Sequence, residues 1–523
     1  MVRLAPLGNE LWQRLPWKKF RRNLFRLQKR IFKAVRVGDM TKVKNLQKLV
    51  LKSTAAKLLA IRQITQLNAG KKTAGVDGIK SLNFLQRFEV FFRLKNAREW
   101  KPRELRRIPI PKKNGRVRIL SVPTIFDRIW QCLIKYALEP AHEATFHAKS
   151  YGFRPGRSAH DAQKMVFMQL KRIGNQFGTS DANKKKRIIE LDIKKCFLPK
   201  GRRFANDRIS HESIMKRLIA TSEMKLGILR SLKAGIFPGF PEQGTPQGGV
   251  FSPLLANIAL NGIEDIHKAS IRYADDMVLF LKPNDNAQKI LQKVKNFLAE
   301  RGMDISEEKT KITSATTGFD FLGWHFKVQN NGKFRSTPSE DNFKSFQKKV
   351  KEIINNSNYG SEVKTQKLAP IVRGWRNYHR YCKMDGSRFS LWFIKKRAEA
   401  VFRKQKTINR HRSIELAKKA FPAVPYSEND FVNVKGDRSP YDGGLVYWSQ
   451  RNSKHYDGYT VSLLKKQNHT CSICGHVLMS DENVELHHLD GNHHNWRKSN
   501  VLVMHRSCHQ YIHMSKSPRA KNI

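Results

Sequence analysis

Apolar and polar positions follow a helical period over much of the chain. After Pro16, the residues Phe20, Leu24, Leu27, Ile31 and Val35 recur three or four apart between charges, which predicts a helix with a basic outer face. From about Arg106 the pattern changes. The run Arg107-Ile-Pro-Ile-Pro and the run ending Arg118-Ile-Leu-Ser-Val-Pro flank a Lys113-Asn114-Gly115 turn and read as two short strands. A helix follows from Thr124 to near His142. Strand-like runs return at Arg187–Ile193 and Ile271–Leu281, and a hairpin around Asn330-Asn331-Gly332 closes the block. Residues 340–420 are helical again, and residues 425–455, rich in Pro, Gly, Asn and Asp, read as a linker. No internal repeat is present. The pattern divides the chain at 1–100, 101–330, 331–425, 426–455 and 456–523, an α+β multidomain protein.

Charge narrows the partners. In 523 residues Lys and Arg total 100 against 43 Asp and Glu, a formal net charge of +57. Such a charge repels itself unless a polyanion neutralises it. No run of ~18 apolar residues exists, and the N-terminus lacks a secretory apolar region, so a membrane is excluded as the polyanion and the expected location is cytoplasmic or organellar, not secreted. Nucleic acid is the expected partner. Residues 341–420 alone hold 21 Lys and Arg against six acids. Aromatics interleave with them in Arg373-Gly-Trp-Arg-Asn-Tyr-His-Arg-Tyr, a composition suited to base stacking and phosphate contact.

The sharpest chemical signal is Tyr273-Ala274-Asp275-Asp276 within an apolar strand pattern. Buried carboxylates need a cation or hydrogen bonds; at the tip of a hairpin these acids can be held by the sheet and still reach solvent. The earlier strand Ile188–Ile193 offers Asp192 near its end. Together these acids suit two Mg²⁺ ions, which take oxygen ligands and can serve an in-line phosphoryl displacement. Ahead of the acids runs Gly244-Thr-Pro-Gln-Gly-Gly-Val-Phe-Ser, whose glycines let backbone approach a nucleotide.

The ordered set of Lys113 to Pro123, Tyr151-Gly-Phe-Arg-Pro, Asp192 to Phe197, Gly244 to Ser252, Tyr273-Ala-Asp-Asp, Lys309 and Phe321-Leu-Gly-Trp closely resembles the reverse transcriptases encoded by group II introns. The resemblance implies a right-hand polymerase: residues 1–100 a basic helical region and the start of the fingers, 101–330 fingers and palm with an antiparallel sheet, and 331–425 a helical thumb, or maturase domain. It places Asp192, Asp275 and Asp276 on the metal-binding triad and Phe197 on the bulky position that selects dNTPs. Lys113 and Arg118 become triphosphate contacts, Gln247 a neighbour of the template–primer pair, and Lys309 a proton donor to departing pyrophosphate. One departure is a nine-residue insertion, Leu198 to Asn206, after Phe197. The implied partners are the intron lariat RNA, target DNA and dNTPs.

The tail is of another kind. Three of six cysteines and ten of 18 histidines lie at or beyond His455. Cys471-x-x-Cys474 and His505-x-x-Cys508 supply four ligands for one structural zinc. Glu485-Leu-His487-His488, Asn500 and His509-x-x-x-His513 resemble the HNH nuclease signature, which implies a ββα-metal module. There His487, His509 and His513 hold a divalent ion, His488 is the general base and Asn500 orients its loop. The combined expectation is a multifunctional intron-encoded protein: RNA-directed DNA polymerase, maturase and DNA endonuclease. The alternatives are an RNA-binding splicing cofactor with an inactive polymerase, a domesticated or retron-type reverse transcriptase, and, for the tail, a zinc ribbon that only binds DNA.

Overall fold

The computed structural model describes residues 11–12, 14–95, 100–111, 117–171, 186–193, 209–234, 248–384, 389–405, 407–453, 456–478 and 484–515. The amphipathic run after Pro16 forms the helix Trp17–Arg36, which buries Leu24, Ile31, Phe32 and Val35. Its neighbours Met40–Lys52 and Thr54–Arg62 are capped by Asp39 and Ser53, whose side chains accept from Lys42 N–H and Ala56 N–H. All three pack on the long helix Ile125–Glu143. Buried Gln28 and Gln47 fasten this layer, donating to the Tyr136 carbonyl (3.1 Å) and the Ile219 carbonyl (2.7 Å).

Strands β1 (Arg106–Pro111) and β2 (Val117–Val122) pair antiparallel. The central sheet holds β3 (Arg187–Asp192), β4 (Ser270–Tyr273), β5 (Asp276–Leu281) and β6 (Lys311–Ser314) in the order β4-β5-β3-β6, with every pairing antiparallel. Ile188, Ile189, Leu191 and the β5 run Met277–Leu281 are buried. The strand-like run Ile271–Leu281 is two antiparallel strands, with the acids at the tip of the hairpin. They turn at Ala274, which carries a positive φ of 59°.

A three-stranded sheet follows: β7 (Phe319–Phe321), β8 (Trp324–Val328) and β9 (Phe334–Pro338). β9 belongs to it, and the helical block begins at Glu340, where the helical period of 340–420 starts. The helices Glu340–Asn355, Ser361–His379, Trp392–Arg403 and Arg410–Ala420 surround their own core of Val350, Leu368, Val372, Phe402 and Leu416. The aromatics of the 373–381 motif are consumed by packing. Trp375 stacks on Phe346 at 4.5 Å, and Tyr378 stacks on Trp324 of β8 at 4.4 Å. His379 and Tyr381 are buried. These rings join the block to the sheet and leave base stacking to others.

The segment 426–455 is a docked connector, not a free linker. Trp448, Tyr441 and Val434 are buried. Arg451 pairs with buried Asp161 at 2.7 Å, and the same Asp161 oxygen accepts Val434 N–H at 2.7 Å. Arg157 donates to the carbonyls of Gly436 (3.0 Å) and Arg438 (3.2 Å). Beyond it come the helix Gly458–Lys466, the antiparallel pair β10 (Val484–His488) and β11 (Val501–His505), and the helix Arg506–Ser515. Leu463, Leu464, Val501, Val503 and Met504 form a small core there with three cysteines.

Candidate active site and metal centres

The register of the central sheet sets the acids. Asp192 ends β3 directly opposite Asp276, the first residue of β5, and Tyr273 of β4 is also opposite Asp276. Asp275 lies half-buried on the turn. Ser306 N–H donates to the Asp192 carbonyl at 2.8 Å, and Lys309 N–H to the Ser306 carbonyl at 3.1 Å. This turn carries Lys309 over the site, where its ammonium pairs with the Asp192 carboxylate. Enclosure by protein, then the charges of Asp275 and Asp192, push the Asp276 carboxyl up to about 7 against the pull of Lys309. Asp276 still meets solvent at the strand end, so repulsion imposed by the register is the firmer part of that shift.

A polar network missed by sequence reasoning holds the turn from below. Arg272, fully buried, donates from Nε to Glu264 Oε1 (2.5 Å) and from Nη2 to Ser150 Oγ (2.7 Å). Its Nη1 reaches the Asn257 side chain (3.0 Å) and the Ala274 carbonyl (3.0 Å). Burial raises the Glu264 carboxyl, but the Arg272 charge and hydrogen bond outweigh it and hold the group below its ordinary range. Asn257 also donates to the Gly152 carbonyl at 2.8 Å. Gly152 lies so close to the Ala274 backbone that a methyl there would collide with it. An Arg inside an apolar strand run was the available signal.

Of the other polymerase positions, Arg118 lies on β2 opposite Ile110, its side chain outside the described residues. Lys113, Phe197, Gln247 and the segment Leu198–Asn206 also fall outside them. Gly248, with φ of 119°, is described: a side chain there would come within 2.6 Å of the Ser121 carbonyl on β2.

Two clusters in the terminal module bring their ligand atoms within 4.8 Å of one another: Cys471, Cys474, His505 and Cys508, and His487, His509 and His513. A tight turn shapes the first, with Gly475 N–H donating to the Cys471 carbonyl (2.6 Å) and Cys471 N–H to that of His476 (2.8 Å). His505 Nδ1 lies 3.3 Å from Cys474 Sγ. Hydrogen bonding by Cys474, then Cys508, holds the Cys471 thiol well below its ordinary range. Three sulfurs and one imidazole nitrogen fit a tetrahedral zinc.

In the second cluster His509 Nε2 and His513 Nε2 are 3.1 Å apart, one helical turn separating them, and His509 Nδ1 meets Glu485 Oε2 at 2.8 Å. A carboxylate behind an imidazole is the usual support for a metal-binding His. His488, next to His487 on β10, is buried between the rings of His493 and Trp496, and neither ring nitrogen has a hydrogen-bond partner among the described residues. Asn500 ties the following loop: its oxygen accepts Asp490 N–H (3.1 Å), and its amide reaches Asp490 Oδ1 (2.9 Å) and the Asn495 carbonyl (3.0 Å).

The antiparallel sheet with acids at one end, under a helical layer and followed by a helical block, fits a polymerase fold of the mixed helix and antiparallel-sheet type. Residues 110–326 match the family described as reverse transcriptase (RNA-dependent DNA polymerase), residues 12–94 the N-terminal domain of reverse transcriptase, and residues 343–416 the group II intron, maturase-specific domain. The chain is 40% identical to maturase-like protein 1 of Euglena gracilis over 413 residues, covering 78% of this chain and 86% of that one. It is 30% identical to protein YkfC of Escherichia coli (strain K12), covering 52% and 80%. With the group II intron-encoded protein LtrA of Lactococcus lactis subsp. cremoris it shares 28% identity over 45% of this chain and 48% of that one. The chain belongs to the group II intron-type reverse transcriptase and maturase family. No helix among the described residues is long and apolar enough to cross a membrane.

Proposed function

We propose that this protein is an RNA-directed DNA polymerase working by two-metal phosphoryl transfer, a maturase that stabilises intron RNA, and an HNH-type endonuclease that nicks target DNA to provide a primer. The observation that carries the polymerase reading is the register that sets Asp192 opposite Asp276 with Asp275 on the adjoining turn. Asp192, Asp275 and Asp276 would hold two Mg²⁺ ions, which supply activation of a 3′-hydroxyl and charge neutralisation at the leaving oxygen. The chain itself supplies the alignment. Arg272 and Asn257 fix the turn, and Lys309 stands beside Asp192, positioned to give a proton to departing pyrophosphate. Phe197 would exclude a ribose 2′-hydroxyl, and Lys113, Arg118 and Gln247 would contact dNTP and template–primer.

For the terminal module, the unpartnered ring nitrogens of buried His488 support its role as the general base on water, with His487, His509 and His513 as ligands of a divalent ion. Cys471, Cys474, His505 and Cys508 would hold zinc. Basic residues of the helical block would neutralise phosphates of the intron lariat RNA, with steep salt dependence.

Primer extension on an RNA template with dNTPs and Mg²⁺ tests the central claim. Asp276→Asn should lose activity by about 10³-fold or more, roughly 4 kcal/mol of barrier, with an unchanged melting temperature. Wild-type protein that extends no primer would leave the splicing-cofactor reading standing. His488→Ala should abolish second-strand nicking and leave extension intact.

A further inference from the structure

The zinc cluster is not suspended at the end of a tether. Its turn faces the basic helix Trp17–Arg36, more than 430 residues earlier in the chain. The Phe25 ring meets the His476 ring edge-on at 5.2 Å, and Phe25 also lies 6.5 Å from Tyr441 of the connector. Phe25, Val434, Leu445, Trp448 and Val477 form one small apolar cluster drawn from three separate segments. Charge surrounds it. A methyl added at Gly475 would lie 3.0 Å from Lys18 Cε and 3.2 Å from Arg22 Nη2. Arg21 lines the same cleft as Phe25, His476 and His505. Farther along the same helix, Arg36 pairs with Asp437 at 2.7 Å.

This inference rests on the reading that Cys471, Cys474, His505 and Cys508 hold zinc. One Zn²⁺ with three thiolates and a neutral imidazole carries a net charge of minus one, and the metal fixes the turn that presents that charge. We propose that the metal-loaded knuckle is an anionic key that docks on Lys18, Arg21 and Arg22, so that zinc occupancy latches the terminal module to the polymerase body. The surface thus has a defined occupant, residues 471–478 of this same chain. The latch fixes the distance between the two chemistries. A nick made by the terminal module would then be presented from a set direction to the polymerase, without a search through solution.

Lys18 and Arg22 are exposed, so reversing their charge leaves the helix core intact. The full chain carries fluorophores at exposed Asn45 and Asn492, and energy transfer is read on single molecules while zinc per chain is measured separately. Wild-type protein should give one narrow distance population. Lys18→Glu with Arg22→Glu should keep its zinc and raise a second, longer-distance population by roughly tenfold. Lys18→Arg with Arg22→Lys should restore the single population. Stripping zinc from wild-type protein should raise a longer-distance population too, with β11 amide exchange read alongside to separate release of a folded module from its unfolding. A single population in both the zinc-bearing variant and the stripped wild type overturns the latch and leaves the zinc reading standing. A wild-type chain that binds no zinc at the knuckle overturns both.

Discussion

The central sheet places its acids at the ends of adjacent antiparallel strands, the terminal module gathers its Cys and His from a turn, two strand residues and the last helix, and the two reach opposite states. Four Cys/His atoms in the knuckle, and three His atoms beside it, crowd within 4.8 Å of one another. The three aspartates form an open set with Lys309 drawn onto Asp192. Thiols and imidazoles can be neutral and converge at little cost. Two carboxylates 4 Å apart repel by on the order of 4 kcal/mol near a protein surface. The palm tolerates that repulsion because a large core and the buried Arg272–Glu264 pair hold the strands. The terminal module, with a handful of buried aliphatic residues, has no comparable reserve and, on the proposed reading, would depend on metal for its fold.

Metal removal is therefore the largest test of the contrast. A strong chelator should unfold residues 456–515, since a structural zinc contributes on the order of 10 kcal/mol of apparent binding. Hydrogen exchange of β10 and β11 amides would report it, while the β3 and β5 amides stay protected. Persistent protection of β11 after chelation would show that the small core suffices alone. Removing Mg²⁺ should leave the melting of the palm unchanged.

The palm's reserve can be attacked directly. Arg272→Met leaves Glu264 buried without its partner and should cost about 3–5 kcal/mol in urea unfolding. Adding Glu264→Gln should recover much of that loss. The double variant should extend primers more slowly than wild type, because the Ala274 carbonyl has lost its donor. Full activity in the double variant would show that the turn holds its own shape.

These two regions were unequally legible in sequence. The strand identities, the acids on adjoining strands and the metal-ligand pairs followed from period and spacing, because local patterning sets them. The hairpin tip at the acids followed as well, but not its left-handed residue, since only the backbone shows Ala274 at positive φ. Nor did the Arg272 network, whose partners Ser150, Asn257 and Glu264 are scattered over more than a hundred residues. The connector misled for a similar reason. Its Pro, Gly and Asn content fits irregular backbone, and irregular backbone pinned by Asp161 and Arg157 has the same composition as a free tether.

Acid should separate the regions next. Burial lowers His142 and His379 to about 3, and His142 Nε2 accepts Ile219 N–H at 3.1 Å. Both histidines are therefore neutral when folded, whereas the unfolded chain protonates them below about 6.5. Stability from each is complete above pH 6.5 and falls as pH drops toward 3, by about 2 kcal/mol per residue at pH 5. The polymerase body should lose melting temperature over that window, and His142→Gln should flatten the decline. A body equally stable at pH 7.5 and 5 would contradict the burial of both rings.

The smallest effect concerns the helical block, where the expected stacking aromatics proved to be core. Trp392 and Phe393 lie outside that motif, 56% and 73% exposed, with ring centroids 4.9 Å apart. Lys396 and Arg397 stand exposed just beyond them on the same helix. A solvated ring pair beside cations offers a surface for an unstacked base, and one such contact contributes about 1–3 kcal/mol. Replacing both rings with Ala should weaken binding of intron RNA by roughly tenfold, or about 1.4 kcal/mol. The slope of affinity against salt should not change, because phosphate neutralisation is untouched. Filter binding across a salt series distinguishes the cases: a slope that falls with the affinity would mean the substitutions disturbed the neighbouring cations, and unchanged affinity would assign the rings no contact with RNA.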